Sequence, residues 1–336
     1  MTWASRAGLY SAGLFLLPIV AGLVAVNVWL SRVTDCHYER TFREMYEGSP
    51  EYDIIFLGPS HTVHGVNIRY VEEGTGFKAY NFGLNGANPP FMHSVYKFIL
   101  RPRKKRIGTV ALDTMWIQFD ERWLWRTIYY DAEYIDWRTL LRYAVSDEVK
   151  APGQLQHQKD STVRRLLENK IPLLKYHRQL ANILAGEDLN ASFDFAHYYR
   201  GYTPYTPGYH LGIYGKDFYR GEVCYRPAHI NPQWVQVFES LIREIQSDGT
   251  KVLLYQMPEY VEGREAAIYP QIDEIYGRLS AKYGVPFLNY NTTHRSRFNY
   301  DKRNFWNWDH LSPEGSVIFS KKMAEDLNRL GLNRVE

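Results

Sequence analysis

The chain has 336 residues, 45% of them hydrophobic and 23% charged, with a formal net charge of +3. So small a charge, with no dense Lys/Arg stripe, excludes a dedicated nucleic-acid binder, and the size fits one large α/β domain or one domain with a big insertion. The only two cysteines, Cys36 and Cys224, leave out the Cys-x-x-Cys and Cys/His spacings of thiolate zinc sites; they fit one disulfide in an oxidising compartment or two buried thiols.

Residues 1–7 precede Gly8–Leu30, a run of 23 residues without a charge. At about 1.5 Å per residue it spans a hydrocarbon core of about 30 Å. It exceeds the roughly 7–15 apolar residues of a signal peptide, and no small-residue cleavage site closes it. We expect a retained single-pass anchor at a bacterial cytoplasmic (inner) membrane, with the large domain periplasmic or otherwise extracytoplasmic. Residues 31–50 read as a polar stalk with helical character, and residues 51–336 as the domain it carries.

Within that domain, apolar runs alternate with helical patterns. Strands are predicted at Ile54–Leu57, Phe77–Phe82, Ile107–Leu112, Lys251–Tyr255 and Pro286–Asn289. Helices are predicted at Asn67–Glu73, Pro89–Leu100, Pro232–Gln246, Ala266–Tyr283 and from Pro313 to about Leu330. The basic cluster Arg101–Arg106 reads as a solvated loop between helix and strand. From about 120 to 230 the alternation breaks into irregular Trp, Tyr, Pro and Gly, with one helical stretch near Ser161–Ala185. We read this as an insertion. Its aromatic side chains, Trp116 at its start among them, suit a sugar-chain groove and ordinary core packing alike.

Five interleaved strands predict an α/β fold of flavodoxin-like type, a three-layer sandwich around a five-stranded parallel sheet. Ligands in such sheets bind beyond the carboxyl ends of the strands. Ser60 ends the first strand, in Gly58-Pro59-Ser60-His61, and His310 precedes the last helix, in Trp308-Asp309-His310-Leu311. A serine hydroxyl needs an adjacent base to act as a nucleophile, and His310 can return to the same sheet edge. A lone Gly-x-Ser is weak evidence; the pairing with His310 is what points to ester chemistry.

These residues resemble the SGNH (GDSL-like) hydrolase superfamily over about 53–116 and 232–330. Gly58-Pro59-Ser60 is similar to its first block, with Pro for Asp. Asn81–Asn88 resembles its second block, which implies that the Gly86 amide serves an oxyanion hole, with Asn85 as a further donor. Asp309-His310-Leu311 resembles the block holding the catalytic histidine. Two positions depart from the pattern. Met115 stands near the oxyanion-binding Asn of the third block, and Asn307 stands where the family places the Asp three residues before the His. The group orienting His310 is then Asp309, Asn307 or a backbone carbonyl. His61 and Trp116 are candidate substrate contacts.

With its anchor, the chain most resembles the alginate and peptidoglycan O-acetylation proteins and the protein that loads D-alanine onto teichoic acids. That likeness implies an acyltransferase or esterase acting on acyl, chiefly acetyl, esters of a polysaccharide, beside a membrane-bound O-acyltransferase. The weakened third block also suits a catalytically inert glycan-binding or scaffolding partner. No cofactor is expected. No metal is expected either, since the spacing of His61, His64 and His93 completes no recognisable ligand set.

Overall fold

The computed structural model describes residues 16–30, 37–48, 51–103, 106–114, 137–145, 171–176, 179–186, 197–204, 230–260, 270–307 and 309–332. Two compact units contain them. One comprises residues 1–36 and 160–189, the other residues 37–159 and 190–336.

In the first unit, residues 16–30 are helical. Asn27 Oδ1 accepts the Leu173 N–H at 3.0 Å, ahead of the short helix Leu180–Leu184. Leu16, Leu17, Val20, Leu23 and Val24 of the longer helix are exposed, Leu17 to 73%. No helix among the described residues is long and apolar enough to cross a membrane. Residues 8–15 of the expected span lie outside the described residues, as do Cys36, Cys224, Trp116 and most of the stretch from 120 to 230.

The second unit is built on one sheet. Its strands β1 (Glu51–Leu57), β2 (Ala79–Asn81), β3 (Arg106–Asp113), β4 (Lys251–Gln256) and β5 (Phe287–Asn289) run parallel in the order β2-β1-β3-β4-β5. This is the flavodoxin-like doubly wound order. Alternate strand residues sort onto two faces, as the two-residue period of a pleated strand requires. Ile54, Phe56, Ala111, Leu253, Tyr255 and Leu288 belong to one buried cluster, which they share with Ile68 and Val71 of helix α3 (Ile68–Thr75) and with Phe319, Met323 and Leu327 of helix α8 (Pro313–Arg329). Ile55, Leu57, Val110, Leu112, Val252 and Leu254 fall outside that cluster and are equally buried. They face the other layer, where α4 (Pro89–Ser94) packs with α6 (Pro232–Ser247). Both α6 and α8 start with Pro at N1 behind a capping side chain, Asn231 and Ser312, which satisfies a first-turn N–H that would otherwise lack a partner.

Three local differences from the sequence reading have physical causes. The expected stalk is largely helix α1 (His37–Glu47), whose Phe42 and Met45 are fully buried; it is part of the second unit's core. The helix expected over 89–100 is α-helical to Ser94 and continues as a π-helical stretch, Val95–Leu100. A helix missed altogether, α2 (Ser60–Gly65), follows β1 directly. It is six residues long, too short to show a hydrophobic period, and its buried Thr62 and His64 are held by hydrogen bonds.

Space is tight at Gly58, between β1 and α2. A Cβ there would overlap Thr62 Oγ1 and Asp113 Cβ. Gly58→Ala is therefore expected to destabilise the protein by about 1–3 kcal/mol, read as a lower denaturant midpoint with an unchanged slope.

Candidate active site

The turn after β1 is fixed from below. Thr62 Oγ1 donates to Asp113 Oδ2 at 2.8 Å and lies 2.7 Å from the Tyr255 hydroxyl. Since the threonine proton goes to the carboxylate, Tyr255 donates to Thr62. The three residues sit on α2 and at the ends of β3 and β4, and all three are fully buried. Burial, then the Asp113 charge, pushes the Tyr255 hydroxyl well above its ordinary pKa, so it stays a donor. From the second motif, Asn81 donates to the Thr62 and Val66 carbonyls at 2.6 and 3.0 Å, while its Oδ1 accepts the Gly83 N–H. It thereby partners the Val66 carbonyl and adds a second donor to the Thr62 carbonyl, which already accepts the Val66 N–H. The Leu84 N–H donates to the Gly58 carbonyl at 2.9 Å and ties the second motif to the serine turn.

The loop before α8 is equally closed. Phe305 and Leu311 form an antiparallel bridge, and the Trp306 N–H donates to the His310 carbonyl at 2.8 Å. Asn307 Oδ1 accepts the backbone N–H groups of Asp309 (3.1 Å) and His310 (2.7 Å). Ser312 caps α8 and bonds the Arg303 carbonyl, and Gly315 sits so close to the Asn304 backbone that a Cβ would overlap it.

These two loops meet. Ser60 Oγ lies 2.7 Å from His310 Nε2. His310 Nδ1 lies 2.7 Å from Asp309 Oδ1 and 3.1 Å from Asn307 Oδ1. An ionised carboxylate only accepts, so Nδ1 carries the proton and Nε2 offers its lone pair to the serine O–H. Asp309 is 8% exposed. Burial alone would raise its carboxyl pKa, but His310 and His61 outweigh that and hold it well below the usual carboxylate range. The His310 side chain keeps 13% exposure and Ser60 is half-buried, so the hydroxyl and imidazole face accessible space. The arrangement is a hydrogen-bonded Ser–His–Asp chain that can deprotonate a serine for attack on a carbonyl.

Of the sequence candidates, Ser60, His310, Asp309 and Asn307 come together. Asn307 and Asp309 both reach the ring, the amide chiefly holding the loop and the carboxylate making the shorter contact. Gly86 lies in the turn after β2 at φ +70°, a left-handed conformation suited to glycine, and Asn85 turns its Oδ1 toward His64 Nε2 at 3.1 Å. His61 does not line an open surface, as a substrate contact would. It is 3% exposed, with Nε2 3.3 Å from Asp309 Oδ2 and its ring edge-on to His310 at 4.6 Å. Burial, then the His310 charge, lowers the His61 pKa from 6.5, against the pull of Asp309. Met115 and Trp116 lie outside the described residues. Sequence reasoning missed the buried Thr62–Asp113–Tyr255 group, whose members are far apart in the chain and carry no shared spacing signal.

His64 and His93 have separate partners, the Thr203 carbonyl at 2.6 Å and Glu244 at 3.0 Å, so the three histidines form no cluster. A different set, His61, Asp309 and His310, offers ligand atoms within 4.8 Å of one another. A cation held there would take the Asp309 oxygens and compete with His310 Nδ1, the nitrogen through which Asp309 orients the base.

No protein-family model and no curated protein matches the chain. Among solved structures it is similar to a GDSL-like lipase from Bacteroides thetaiotaomicron (9% identity, 87% of this chain and 98% of that one, TM-score 0.38). It is also similar to a catalytic mutant of an acetylxylan esterase from Geobacillus stearothermophilus (12%, 82% and 93%, TM-score 0.40). A third is a protein assigned to the G-D-S-L lipolytic family from Desulfitobacterium hafniense (8%, 82% and 99%, TM-score 0.38).

The pH dependence of stability follows from the two buried groups. Asp309 has a lower pKa folded than unfolded, so its contribution is present above about pH 4 and is lost as pH falls. His61 also has a lower pKa when folded, so the unfolded chain takes up its proton first and stability falls as pH drops through about 6.5. Both act in one direction. The urea midpoint is expected to fall on acidification from about pH 8 to about pH 5, with a shallower fall in His61→Gln.

Proposed function

We propose that the protein is an SGNH-type serine acyl-ester enzyme, an esterase or acyltransferase whose nucleophile is Ser60 and whose base is His310. The carrying observation is the 2.7 Å contact between Ser60 Oγ and His310 Nε2, with Asp309 2.7 Å behind Nδ1. The likeness of the three sequence motifs to the SGNH blocks supports the same reading.

Ser60 Oγ attacks the acyl carbonyl while His310 Nε2 takes its proton, and Asp309 stabilises the imidazolium that forms. The resulting oxyanion is bound by backbone amides, for which Ser60 and Gly86 are the candidates. Collapse breaks the ester C–O bond, and His310 returns its proton to the departing alkoxide. The acyl group is left on Ser60. A second hydroxyl then attacks the acyl-serine, His310 taking its proton and giving it to Ser60 Oγ. If that hydroxyl is water the reaction is hydrolysis; if it belongs to a sugar, it is transfer.

The substrate in this proposal is an acetylated cell-envelope or secreted polysaccharide, on the likeness to envelope O-acetylation proteins. The uncharged N-terminal run and the exposed apolar side chains of residues 16–30 support a membrane-anchored, extracytoplasmic setting, with a membrane-bound O-acyltransferase as partner.

The test uses the full chain and p-nitrophenyl acetate. Mass spectrometry is expected to find one acetyl group on Ser60 in the wild type. Ser60→Ala is expected to lose at least about 10³-fold in kcat with the fold intact. An unlabelled Ser60, with turnover unchanged in Ser60→Ala, would leave a glycan-binding or scaffolding protein in place of an enzyme.

A further inference from the structure

We propose that His61 is a positioning residue of the relay, its neutral imidazole holding the second oxygen of Asp309 and thereby joining the nucleophile's helix to the loop of the base. The proposal rests on the serine-relay reading above and assigns a further residue to it.

The acid of this site immediately precedes the histidine it orients. Neighbouring side chains in a chain tend to diverge, so a carboxylate in that position needs a second hold to keep one oxygen on Nδ1. Asn307, in the position three residues before the base, is occupied by two backbone N–H groups. The Asp309 carboxylate instead has one imidazole at each oxygen, His310 at Oδ1 and His61 at Oδ2.

The proton on His61 can be located. Its Nε2 is fully buried, and among the described residues it has no partner that meets hydrogen-bond geometry. The Asp309 oxygen at 3.3 Å is the acceptor within reach, long and imperfectly aligned in this state. A lone pair at that distance from a carboxylate oxygen would be repelled, whereas an N–H is attracted, so Nε2 carries the hydrogen. A buried N–H without a partner is costly, and here the carboxylate offsets that cost. Catalytic hydrogen bonds often lie long in the free enzyme and shorten once substrate is bound.

The ring must also stay neutral. The titratable groups acting on it are Asp309 and His310. When His310 takes the serine proton, a charge on His61, with ring centres 4.6 Å apart, would oppose it. Burial disfavours that second charge, so at most one of the two rings is positively charged at a time.

If His61 only fills space, a phenyl ring will serve as well. His61→Phe keeps the ring and loses the donor. His61→Gln can place an amide N–H near the position of Nε2. With p-nitrophenyl acetate, His61→Phe is expected to lower kcat about 10- to 100-fold with KM little changed, and His61→Gln to recover most of the loss. Wild-type kcat in His61→Phe, or equal loss in both variants, would overturn the proposal. Ser60→Ala runs alongside. If it retains turnover, the relay reading itself falls; if it is inactive while His61→Phe is not, only the role of His61 falls. Nitrogen-15 NMR of histidine-labelled wild type needs no variant and no substrate. A neutral His61 protonated at Nε2 from about pH 6 to 8 is expected; the Nδ1 tautomer or a charged ring would overturn the proposal.

Discussion

The site depends on one short contact between the two ends of the domain, the hydroxyl of Ser60 against the imidazole of His310. Neither group can do ester chemistry alone. The hydroxyl is a weak nucleophile without a base, and the imidazole is a base of fixed direction only because a carboxylate holds its other nitrogen. A parallel sheet is what allows them to meet. Its strand ends all point the same way, so the turn after β1 and the loop before α8 open on the same edge although most of the sequence lies between them.

Much of the surrounding structure keeps those two loops still. Beneath the serine, Thr62 joins the ends of β3 and β4 through Asp113 and Tyr255, and Asn81 ties off the carbonyls of α2. Around the histidine, Asn307 accepts two backbone N–H groups and Ser312 links the loop to α8. Buried hydrogen bonds of this kind favour a single arrangement of the groups they join. The hydroxyl and the imidazole are left half-open above this fixed base.

The layers were legible because they follow periodicity. Every predicted strand lies on an observed one to within a few residues, and the alternation of Ile54/Phe56 against Ile55/Leu57 is the two-residue period of a strand buried on both faces. Helices α6 and α8 were legible from their proline starts and apolar stripes. Less legible were elements whose stability comes from tertiary contacts. The six residues of α2 have no apolar period, and α1 reads as polar although Phe42 and Met45 anchor it in the core. At the site, the serine and histidine stood out by position relative to a strand and a helix. The sequence left open which group orients the base, because Asp309 and Asn307 are both within reach. Only coordinates show the carboxylate closer to the ring and the amide closing the turn. His61 looked like a substrate contact because it follows the nucleophile, yet a helical turn carries it away from the open face and into the interior.

Asp309 and His310 occupy consecutive positions in a turn closed by its own hydrogen bonds, whereas Ser60 opens α2, just after the first strand. During synthesis the serine therefore emerges from the ribosome long before its base exists. A chain interrupted anywhere ahead of that turn would hold a complete first strand and a chemically idle hydroxyl. The Ser60–His310 contact therefore forms in one step, when the closing segment docks, and no shorter chain can hold it.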